Sequence, residues 1–341
     1  MPELLRPFSG INTFLIFFTK KLRLSNPWNF KVPFLICIPY LVFLVSDAKN
    51  DALEGILASI SVIIGVAGFG YLTNDLGDKH KDHLIGKENA AAKLSTGGIV
   101  FLFVLFLAMA IAPWFYLPMN RIGFCLLSLQ FLLFYMYAFP PFRLKERGFL
   151  GVMADAGYAH VNPALLAAYT FYLYTGKTAS EFHVFIFLLA LWQFVLGIRN
   201  ILFHQLKDHS KDLESGTNTF VTDIGLDRIH TLLKKILLPL ETILFIAFAI
   251  FITRYLYFFI PVILVYWIFM LFQQRKNGKV FGFREYAYLY LDDLYIKWIP
   301  LIVLVGLVIN SINFLPVLIL HVLIFRNEVK TFFINRITRL R

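Results

Sequence analysis

The chain has 341 residues, of which 59% are hydrophobic and 16% are charged, and its mean hydropathy is +0.70. Soluble domains usually carry about 25% charged residues, and the apolar residues here form long uninterrupted runs. This pattern excludes a soluble globular protein and indicates a polytopic membrane protein. The net charge of +11 does not indicate a nucleic-acid partner, because the basic residues lie mainly in loops between apolar runs, where they set orientation and meet anionic headgroups.

The predicted elements are apolar segments, each of about the 20 residues that a membrane crossing needs. Residues 1–31 are expected to form a cytoplasmic juxtamembrane segment, because the apolar stretch 11–18 is followed by basic residues rather than by a cleavage site. A transmembrane domain is predicted at 32–325 and a basic C-terminal tail at 326–341. The domain contains nine candidate spans: 32–46, 53–73, 98–118, 121–139, 150–175, 182–203, 233–252, 255–272 and 295–325.

The distribution of Lys and Arg predicts the orientation in the membrane. These residues are concentrated in the N-terminal segment and in the loops after the second, fourth, sixth and eighth spans, whereas the loops between carry one each: Lys49, Arg121, Lys177 and Arg254. By the positive-inside rule, the N-terminus and the basic loops face the cytoplasm. The last span leaves two alternatives open. It either crosses once and leaves the basic tail outside, or turns back around Asn310 as two short helices.

The stretch after the second span is rich in oxygen ligands. Asn74, Asp78 and Asp82 are spaced i, i+4 and i+8, so on a helix they form a row along one face, with Asp75 beside them. Carboxylates that close together repel one another unless a cation lies between them, and hard oxygen ligands combined with phosphate oxygens suit Mg²⁺. One turn earlier, Tyr71 offers a π face that can stabilise a cation.

A second acidic row follows the sixth span. Asp208 and Asp212 are again spaced i, i+4, and spans two and six emerge on the same side of the membrane. The repeated arrangement indicates an internal repeat. Two facing rows of this kind can hold Mg²⁺ ions bridged by a diphosphate, while an apolar bundle shelters a hydrocarbon tail.

Side chains outside the two rows are further candidates. Arg143 and Lys145 lie in a Pro-containing loop after the fourth span, where a guanidinium fork and an ammonium suit phosphate oxygens. Lys207, beside the second row, is a third basic candidate, although topology alone also explains all three. Tyr137 lies near the proposed site at the end of the fourth span, and Asp155 falls within the fifth, where polar groups are costly and often functional.

These residues resemble the UbiA superfamily of intramembrane prenyltransferases. The family's first motif, Asn-Asp-x-x-Asp-x-x-x-Asp, is matched in full by residues 74–82. The second, Asp-x-x-Asp-x-x-x-Asp followed by Gly and Thr, is matched by residues 205–219, except that Gln205 replaces the leading acid. The family's Tyr-x-x-Pro-Pro-x-Arg-x-Lys loop is similar to residues 135–145. Together these matches extend the resemblance over roughly residues 20–320.

The resemblance implies an all-α fold of nine transmembrane helices around a central cavity with a cytoplasmic polar cap. It also implies Mg²⁺-dependent ionisation of a polyprenyl diphosphate and transfer of the prenyl group to a second substrate, an aromatic acceptor on family precedent. Residues carried over as metal ligands are Asn74, Asp78, Asp82, Asp208 and Asp212. Asp75 joins the four acids of that set as catalytic, and the expected substrate contacts are Asn74, Arg143, Lys145, Lys207, Tyr71, Tyr137 and Gln205. The amide at Gln205 brings no charge and leaves the number of metals open.

Two other functions remain open from the sequence. A UbiA-type terpene cyclase would use the same ionisation without an acceptor. A transporter or lipid-binding scaffold would use the acids for cations, but transporter sites usually lie near the membrane midplane, whereas both acidic rows are predicted at the cytoplasmic rim. The lipid bilayer, a polyprenyl diphosphate and an acceptor are the expected partners.

Overall fold

The computed structural model of the protein describes these residues: 31–84, 86, 88–178, 180–277 and 291–326. Every regular element in this part of the chain is a helix, which confirms the predicted all-α class. The predicted N-terminal segment and nearly all of the basic tail lie outside the described residues.

As far as α11 the helices follow one another with short connections. In chain order they are α1 (Val32–Val45), α2 (Leu53–Leu84), α3 (Thr96–Ile111), α4 (Arg121–Ala138), α5 (Phe149–Ala156), α6 (Asn162–Thr175), α7 (Phe182–Glu214), α8 (Phe220–Ile224), α9 (Leu226–Leu232), α10 (Leu238–Thr253), α11 (Phe259–Asn277), α12 (Ile299–Asn310) and α13 (Leu315–Ile324). Three π turns lie within this series. They join α5 to α6, join α9 to α10, and lead into α12.

The lengths and surfaces of the helices are those of an integral membrane protein. Five described segments are long and apolar enough to cross a bilayer: Leu53–Leu84, Thr96–Phe115, Arg121–Ala138, Phe182–Glu214 and Leu226–Thr253. Four further apolar helical stretches are shorter: Val32–Val45, Phe259–Phe272, Leu294–Asn310 and Ile312–Ile324. Large apolar side chains such as Phe101, Phe124 and Ile243 are more than 60% exposed, as expected where lipid replaces water. The count of nine spans stays a prediction.

Local sequence sets several helix ends. The side chains of Ser95 and Asn120 each accept a hydrogen bond from a backbone N–H three residues later, at 3.2 and 2.9 Å, which caps the start of α3 and of α4. Gly176 ends α6 with φ of +63°, a left-handed conformation that glycine adopts without strain. Within α2, a Cβ at Gly65 would lie 2.3 Å from the backbone nitrogen of Ala110, so only glycine allows α3 to pack this closely.

Helix α1 is the centre of the bundle. Although it is the shortest of the predicted spans, nearly all of its side chains are buried, and it packs against α6 and α12. Phe34 meets the ring of Trp192 from α7 edge-on at 5.1 Å. The apolar sequence of α1 therefore reflects burial inside the protein rather than contact with lipid.

The C-terminal segment turns back on itself. The chain leaves the helical conformation at Ser311, with φ of −157° and ψ of 124°, and resumes as α13. The Asn313 amide donates to the carbonyl of Lys49, just beyond the end of α1, at 3.0 Å. His321 lies beside Tyr40, nearer the start of α1, with ring centroids 5.8 Å apart. Of the two alternatives for this segment, the structure shows the helical hairpin.

A buried ion cluster joins three parts of the chain. Arg199 of α7 is fully buried and donates to both Glu241 carboxylate oxygens of α10, at 2.5 and 3.2 Å. The same guanidinium donates to Asp292, which precedes α12, at 2.5 and 3.3 Å. Two carboxylates thus face one guanidinium, and such clusters stabilise only when the hydrogen bonds are complete. Here all the contacts are close, and they tie α7 to α10 and to the start of the C-terminal hairpin.

Candidate functional site

The two longest helices, α2 and α7, carry the two acidic motifs at their C-terminal ends. Both ends open into one cavity of about 490 Å³. Because the two helices run in the same direction, the separate stretches of sequence meet at one end of the bundle, called here the motif end. The cavity extends from the motif end into the apolar interior, between α1, α2, α4, α6 and α7.

The lining of the cavity changes from apolar to charged along a single face of α2. The inner part of that face is made of Ser59, Val62, Ile63, Val66, Ala67 and Gly70. The outer part is made of Tyr71, Asn74, Asp78, Lys81 and Asp82. The separations of three and four residues are those of one helical face. Asn74, Asp78 and Asp82 therefore lie on one face of α2, as their spacing predicts, and this face continues into an apolar channel.

Asp78 is the most strongly paired member of the first row. The Lys145 ammonium forms an ion pair with its Oδ1 atom, and Arg143 Nη2 lies 3.5 Å from the same atom. Gly77 permits this approach, since a Cβ there would lie 2.7 Å from the carbonyl oxygen of Ala138 at the end of α4. The loop between α4 and α5 therefore presents its two cations directly to the first motif, as the sequence predicts.

The conformation of this loop is set by Arg143. Its backbone is left-handed, with φ of +38°, a conformation that costs a non-glycine residue about 1 kcal/mol or more. The guanidinium contacts offset that cost, because Arg143 donates to the Gly77 carbonyl at 2.9 Å and to Glu146 at 2.5 Å. Glu146 also pairs with Lys81 of α2 at 2.8 Å. The loop is thus fixed to α2 at three points.

Two groups in this loop have shifted pKa values. Burial lowers the pKa of the Lys145 ammonium, although the neighbouring Asp78 carboxylate acts in the opposite direction. Burial acts to raise the pKa of Glu146, but the hydrogen bonds from Lys81 and Arg143 outweigh it and hold that pKa below its usual value. Glu146 is therefore stabilised as the anion, while the charge on Lys145 depends on its anionic neighbour.

Asp82 and Asp75 are held by a residue that the sequence interpretation did not include. The Asn89 amide donates to the Asp82 carboxylate at 2.8 Å and to the Asp75 carbonyl at 2.7 Å. Asn89 is itself 4% exposed, so this contact is shielded from water. Asp75 is buried and does not line the cavity, which suits a supporting position better than a contact with substrate.

The second row is arranged differently. Asp208, Lys211 and Asp212 line the cavity, and Asp208 lies 3.3 Å from the exposed imidazole of His204. Gln205 also lines the cavity, but its side-chain oxygen accepts a hydrogen bond from the backbone N–H of Val221 at 3.3 Å. The residue that replaces the usual acid therefore supports the first turn of α8.

The loop that follows α7 contacts the loop between α4 and α5. Gly216 adopts φ of +62° where α7 ends, and Thr219 lines the cavity while capping α8 through its contacts with Thr222. The backbone of Thr219 forms a bridge to Gly148, which closes the loop that carries Arg143. The Gly and Thr of the second motif thus shape the backbone after α7 and bring that loop against the loop between α4 and α5.

A polar group interrupts the apolar part of the cavity. The Tyr158 hydroxyl donates to the Asp155 carboxylate at 2.6 Å, and both side chains line the cavity. Tyr158 lies in the π turn between α5 and α6, and its carbonyl accepts from Gln130 at 2.9 Å. Tyr137 packs edge-on against Tyr158, with centroids 4.9 Å apart. Turns of the π type recur at functional sites, and this one carries the tyrosine that holds the Asp155 carboxylate.

The structure brings most of the predicted site residues together. Those that line the cavity are Tyr71, Asn74, Asp78, Asp82, Tyr137, Lys145, Gln205, Asp208 and Asp212. Arg143 reaches the site through Asp78. Lys207 is exposed and is not part of the lining.

Three lysines in the lining, Lys31, Lys81 and Lys211, were interpreted from sequence only as topology signals. Lys81 and Lys211 both face the cavity, and each follows an aspartate of its motif by three residues and precedes one by a single residue. That spacing places each lysine on the same helical face as the acids, so the pattern Asp-x-x-Lys-Asp, present in both motifs, could have identified them.

The donor set fits Mg²⁺. Among the described residues, no three His, Cys, Asp or Glu side chains lie close enough to form a metal site by themselves. Each row instead offers one or two carboxylates, the number with which proteins usually hold Mg²⁺ when phosphate oxygens and water complete the shell. Asn74, Asp78 and Asp82 in the first row and Asp208 and Asp212 in the second would hold it.

A bundle of apolar helices around a cavity that is charged at one end and apolar at the other defines a membrane-embedded protein acting on an amphipathic molecule. The model of the UbiA prenyltransferase family matches residues 33–291, well over half of the chain. The protein belongs to this family, as the motifs predict, and is an intramembrane prenyltransferase in the general sense.

Solved structures with the same fold support this assignment. They are of a UbiA homolog from Archaeoglobus fulgidus, bound to GPP and Mg²⁺, to DMAPP and Mg²⁺, and to Cd²⁺. Sequence identity is 18%, 18% and 19%, with TM-scores of 0.54, 0.56 and 0.54. The alignments cover 86%, 84% and 86% of this chain and 99% of the homolog. A comparison with curated protein sequences finds no match.

Proposed function

We propose that the protein is a Mg²⁺-dependent prenyltransferase that ionises a prenyl diphosphate and transfers the prenyl group to an aromatic acceptor. The observation that carries this proposal is the single cavity that joins both aspartate rows to an apolar channel. GPP and DMAPP, which the Archaeoglobus homolog binds together with Mg²⁺, have this same combination of a charged head and an apolar tail.

The charged head is expected at the motif end. Asn74, Asp78 and Asp82 face Asp208 and Asp212 across the cavity mouth, and Mg²⁺ held by them would neutralise charge on the diphosphate. Lys145 and Arg143 are already directed at Asp78. Because a diphosphate attracts both cations more strongly than one carboxylate does, these side chains are expected to move their contacts from Asp78 to phosphate oxygens when substrate enters.

The apolar channel then protects the allylic cation. The aromatic faces of Tyr71 and Tyr137 lie between the motif end and the interior, where each can stabilise the cation by about 0.5–2 kcal/mol. Exclusion of water by the apolar lining prevents premature capture. Tyr137 packs against Tyr158, whose hydroxyl donates to the Asp155 carboxylate, so it lies close to that carboxylate as well as to the motif end.

The reaction also releases a proton. The C1–O bond of the prenyl diphosphate breaks with its electron pair leaving on the diphosphate, and a new bond forms from C1 to the acceptor, which then loses H⁺. We infer that the Asp155 carboxylate accepts this proton, because it lines the channel, belongs to neither acidic motif and is held in place by the Tyr158 hydroxyl. Asp155→Asn is then expected to lower the ratio of prenylated product to released diphosphate.

The proposal includes orientation and extent. The motif end is assigned to the cytoplasm, since Lys and Arg are concentrated in the loops on that side. The catalytic unit is assigned to residues 32–325, which include the family match at 33–291 and the C-terminal hairpin that packs on α1.

The test uses the full-length protein in lipid nanodiscs with GPP or DMAPP, with and without Mg²⁺. Diphosphate release and products are followed by mass spectrometry across a panel of aromatic acceptors. Mg²⁺-dependent release coupled to a prenylated ring is expected. Formation of a cyclic hydrocarbon without acceptor would instead identify a cyclase, and binding without any diphosphate release would favour a transporter or scaffold.

A further inference from the structure

The apolar channel is closed at the end opposite the motifs. Its lining follows α2 from Asn74 inward to Ser59, and follows α6 as far as Phe171. Neither helix stops at these residues, because α2 begins at Leu53 and α6 continues to Thr175. At least one turn of each helix therefore lies beyond the channel, and side chains fill the space between those turns.

The filling is aromatic. The Phe171 ring, 1% exposed, packs against Tyr174 at 5.6 Å and against Phe43 of α1 at 6.0 Å between centroids. Gly55 of α2 lies against the same group: a Cβ there would be 3.0 Å from the Tyr174 ring and 3.3 Å from Phe171. Three helices thus meet here without spare volume, so the ring of Phe171 cannot move outward easily.

The connection between α3 and α4 completes the closure. Trp114 and Leu117 line the channel, and Leu117 is 2% exposed. Trp114 is fixed by a hydrogen bond from its indole N–H to the Ala110 carbonyl at 2.9 Å. Phe171, Tyr174, Trp114 and Leu117 are called the floor cluster below.

Hydrogen bonds brace the floor cluster from outside. The hydroxyls of Tyr116 and Tyr174 lie 3.0 Å apart. Tyr116 also donates to the Glu54 carboxylate at 2.9 Å, and Tyr174 donates to the Asp51 carbonyl at 3.3 Å. These bonds join the first turn of α2, the end of α6 and the connection after α3, so the floor is a fixed wall rather than a loose contact.

The depth of the channel follows from helix geometry. Asn74 and Ser59 are fifteen residues apart on one helix, which places them about 22 Å apart at 1.5 Å per residue. An extended chain advances roughly 1.1–1.2 Å per bond, so an isoprene unit of four chain bonds takes up about 4.6 Å. Four units take up about 18 Å, whereas five would need about 23 Å and exceed this depth. We propose that the floor cluster therefore limits the prenyl tail to four complete units. The inference rests on the proposed function and names its substrate class: prenyl diphosphates up to geranylgeranyl.

Substitutions at different depths along α2 test this limit. Ala67 lines the channel seven residues inward from Asn74, a depth of about 10 Å, or two isoprene units. A ring at position 67 would therefore close the channel to tails longer than geranyl. Leu57 lies on the same helix but is 48% exposed and outside the lining, so Leu57→Phe adds a ring without changing the channel.

The experiment measures binding rather than turnover. Purified full-length protein in nanodiscs with Mg²⁺ is titrated with non-ionising S-thiolodiphosphate analogues of geranyl, farnesyl, geranylgeranyl and hexaprenyl diphosphate. For the native chain, affinity is expected to rise up to the geranylgeranyl analogue and to fall at least tenfold for the hexaprenyl analogue. Ala67→Phe should leave geranyl binding within twofold and weaken geranylgeranyl binding at least tenfold, whereas Leu57→Phe should change neither.

Removal of the floor tests the same limit from the other direction. Phe171→Ala should raise hexaprenyl affinity toward that of geranylgeranyl, with geranyl affinity serving as the check that the variant is folded. Equal affinity of the native chain for all four lengths, or a uniform loss across lengths in Ala67→Phe, would overturn the inference. If none of the four analogues binds, the result would instead contradict the proposed function.

Discussion

The acidic ends of α2 and α7 share a spacing but differ in their surroundings. On α2, Asp78 contacts two cations from another loop and Asp82 is held by a buried amide. On α7, Asp208 meets an exposed histidine one turn earlier on its own helix, and Gln205 supports α8. Asp78 of the first row is thus compensated by a distant loop, while Asp208 of the second row is paired with a neighbour on its own helix.

This difference indicates a division of work between two similar motifs. A carboxylate that is already neutralised by Lys145 and Arg143 can exchange those cations for Mg²⁺ while the cations turn to the diphosphate. The second row has fewer acids and more exposed contacts, which suits it to completing the site once a substrate is present. The following predictions examine this asymmetry, beginning with the largest effect.

Asp78→Asn and Asp208→Asn should each abolish Mg²⁺-dependent diphosphate release. We expect losses of at least about 10²–10³-fold, the range for removal of one strong electrostatic contact to a developing charge. The first variant should have the larger effect, and diphosphate release from GPP measures both. Asp227→Asn, an exposed position on α9, is the matched control. Full turnover by either site variant would refute the metal assignment.

Lys145→Met should lower kcat/KM about 10²-fold, since it removes a buried cation from the diphosphate site. The pKa of Lys145 is lowered by burial, so the native chain should lose kcat/KM as pH rises through a value below the usual lysine pKa. Lys145→Arg keeps its charge at those pH values and should move the alkaline limb upward. Lys207→Ala, at an exposed position, should change kcat/KM by less than twofold. An unmoved alkaline limb in Lys145→Arg would contradict the assignment.

Asn89→Ala should lower activity about tenfold and stability by about 1–3 kcal/mol, because the Asp82 carboxylate and the Asp75 carbonyl each lose a buried donor. Thermal unfolding in nanodiscs and diphosphate release at saturating Mg²⁺ measure the two effects. Asn89→Asp isolates the contribution of the two donated hydrogen bonds, because it keeps the size of the side chain and the acceptor for the Ala92 N–H but removes the donors. Wild-type activity in both variants would show that the first row does not depend on this amide.

Gln205→Glu should have the smallest effect and act in the opposite direction. A carboxylate can still accept from the Val221 N–H, so the fold is retained, and the added charge should lower the Mg²⁺ concentration for half-maximal activity several-fold. A Mg²⁺ titration of diphosphate release measures this. If the requirement for Mg²⁺ is unchanged, the second row does not gain a ligand at this position.

The sequence predicted the features that depend on spacing. The helical rows at Asn74 and Asp208 follow from spacing with period 3.6, and the membrane class follows from long apolar runs. The family and its all-α fold follow from the resemblance of the motifs. The hairpin at Ser311 could be stated only as an alternative, because an apolar run of that length can cross once or turn back. Only packing against α1 distinguishes the two outcomes.

Features that depend on tertiary contact could not be predicted. Nothing local indicates that Asn89 reaches back to Asp82, or that Gln205 accepts from a backbone N–H sixteen residues later. The floor cluster likewise combines residues of α6 and the connection after α3, neither of which has a distinctive motif. Long-range pairs of this kind are set by how the helices pack, which a single sequence does not encode in its spacing.

The Arg199 cluster has a consequence for biogenesis. A lone arginine costs up to about 2.5–3.5 kcal/mol inside a membrane helix on translocon scales, with the full cost at the helix centre, and Arg199 lies within the predicted span 182–203. During synthesis α7 enters the bilayer before either partner exists, because Glu241 and Asp292 come later in the chain. Until Asp292 emerges, the guanidinium lacks half of its final contacts. We therefore expect α7 to be only partly secured until Asp292 is made, so that a later part of the chain completes the contacts of a helix inserted much earlier.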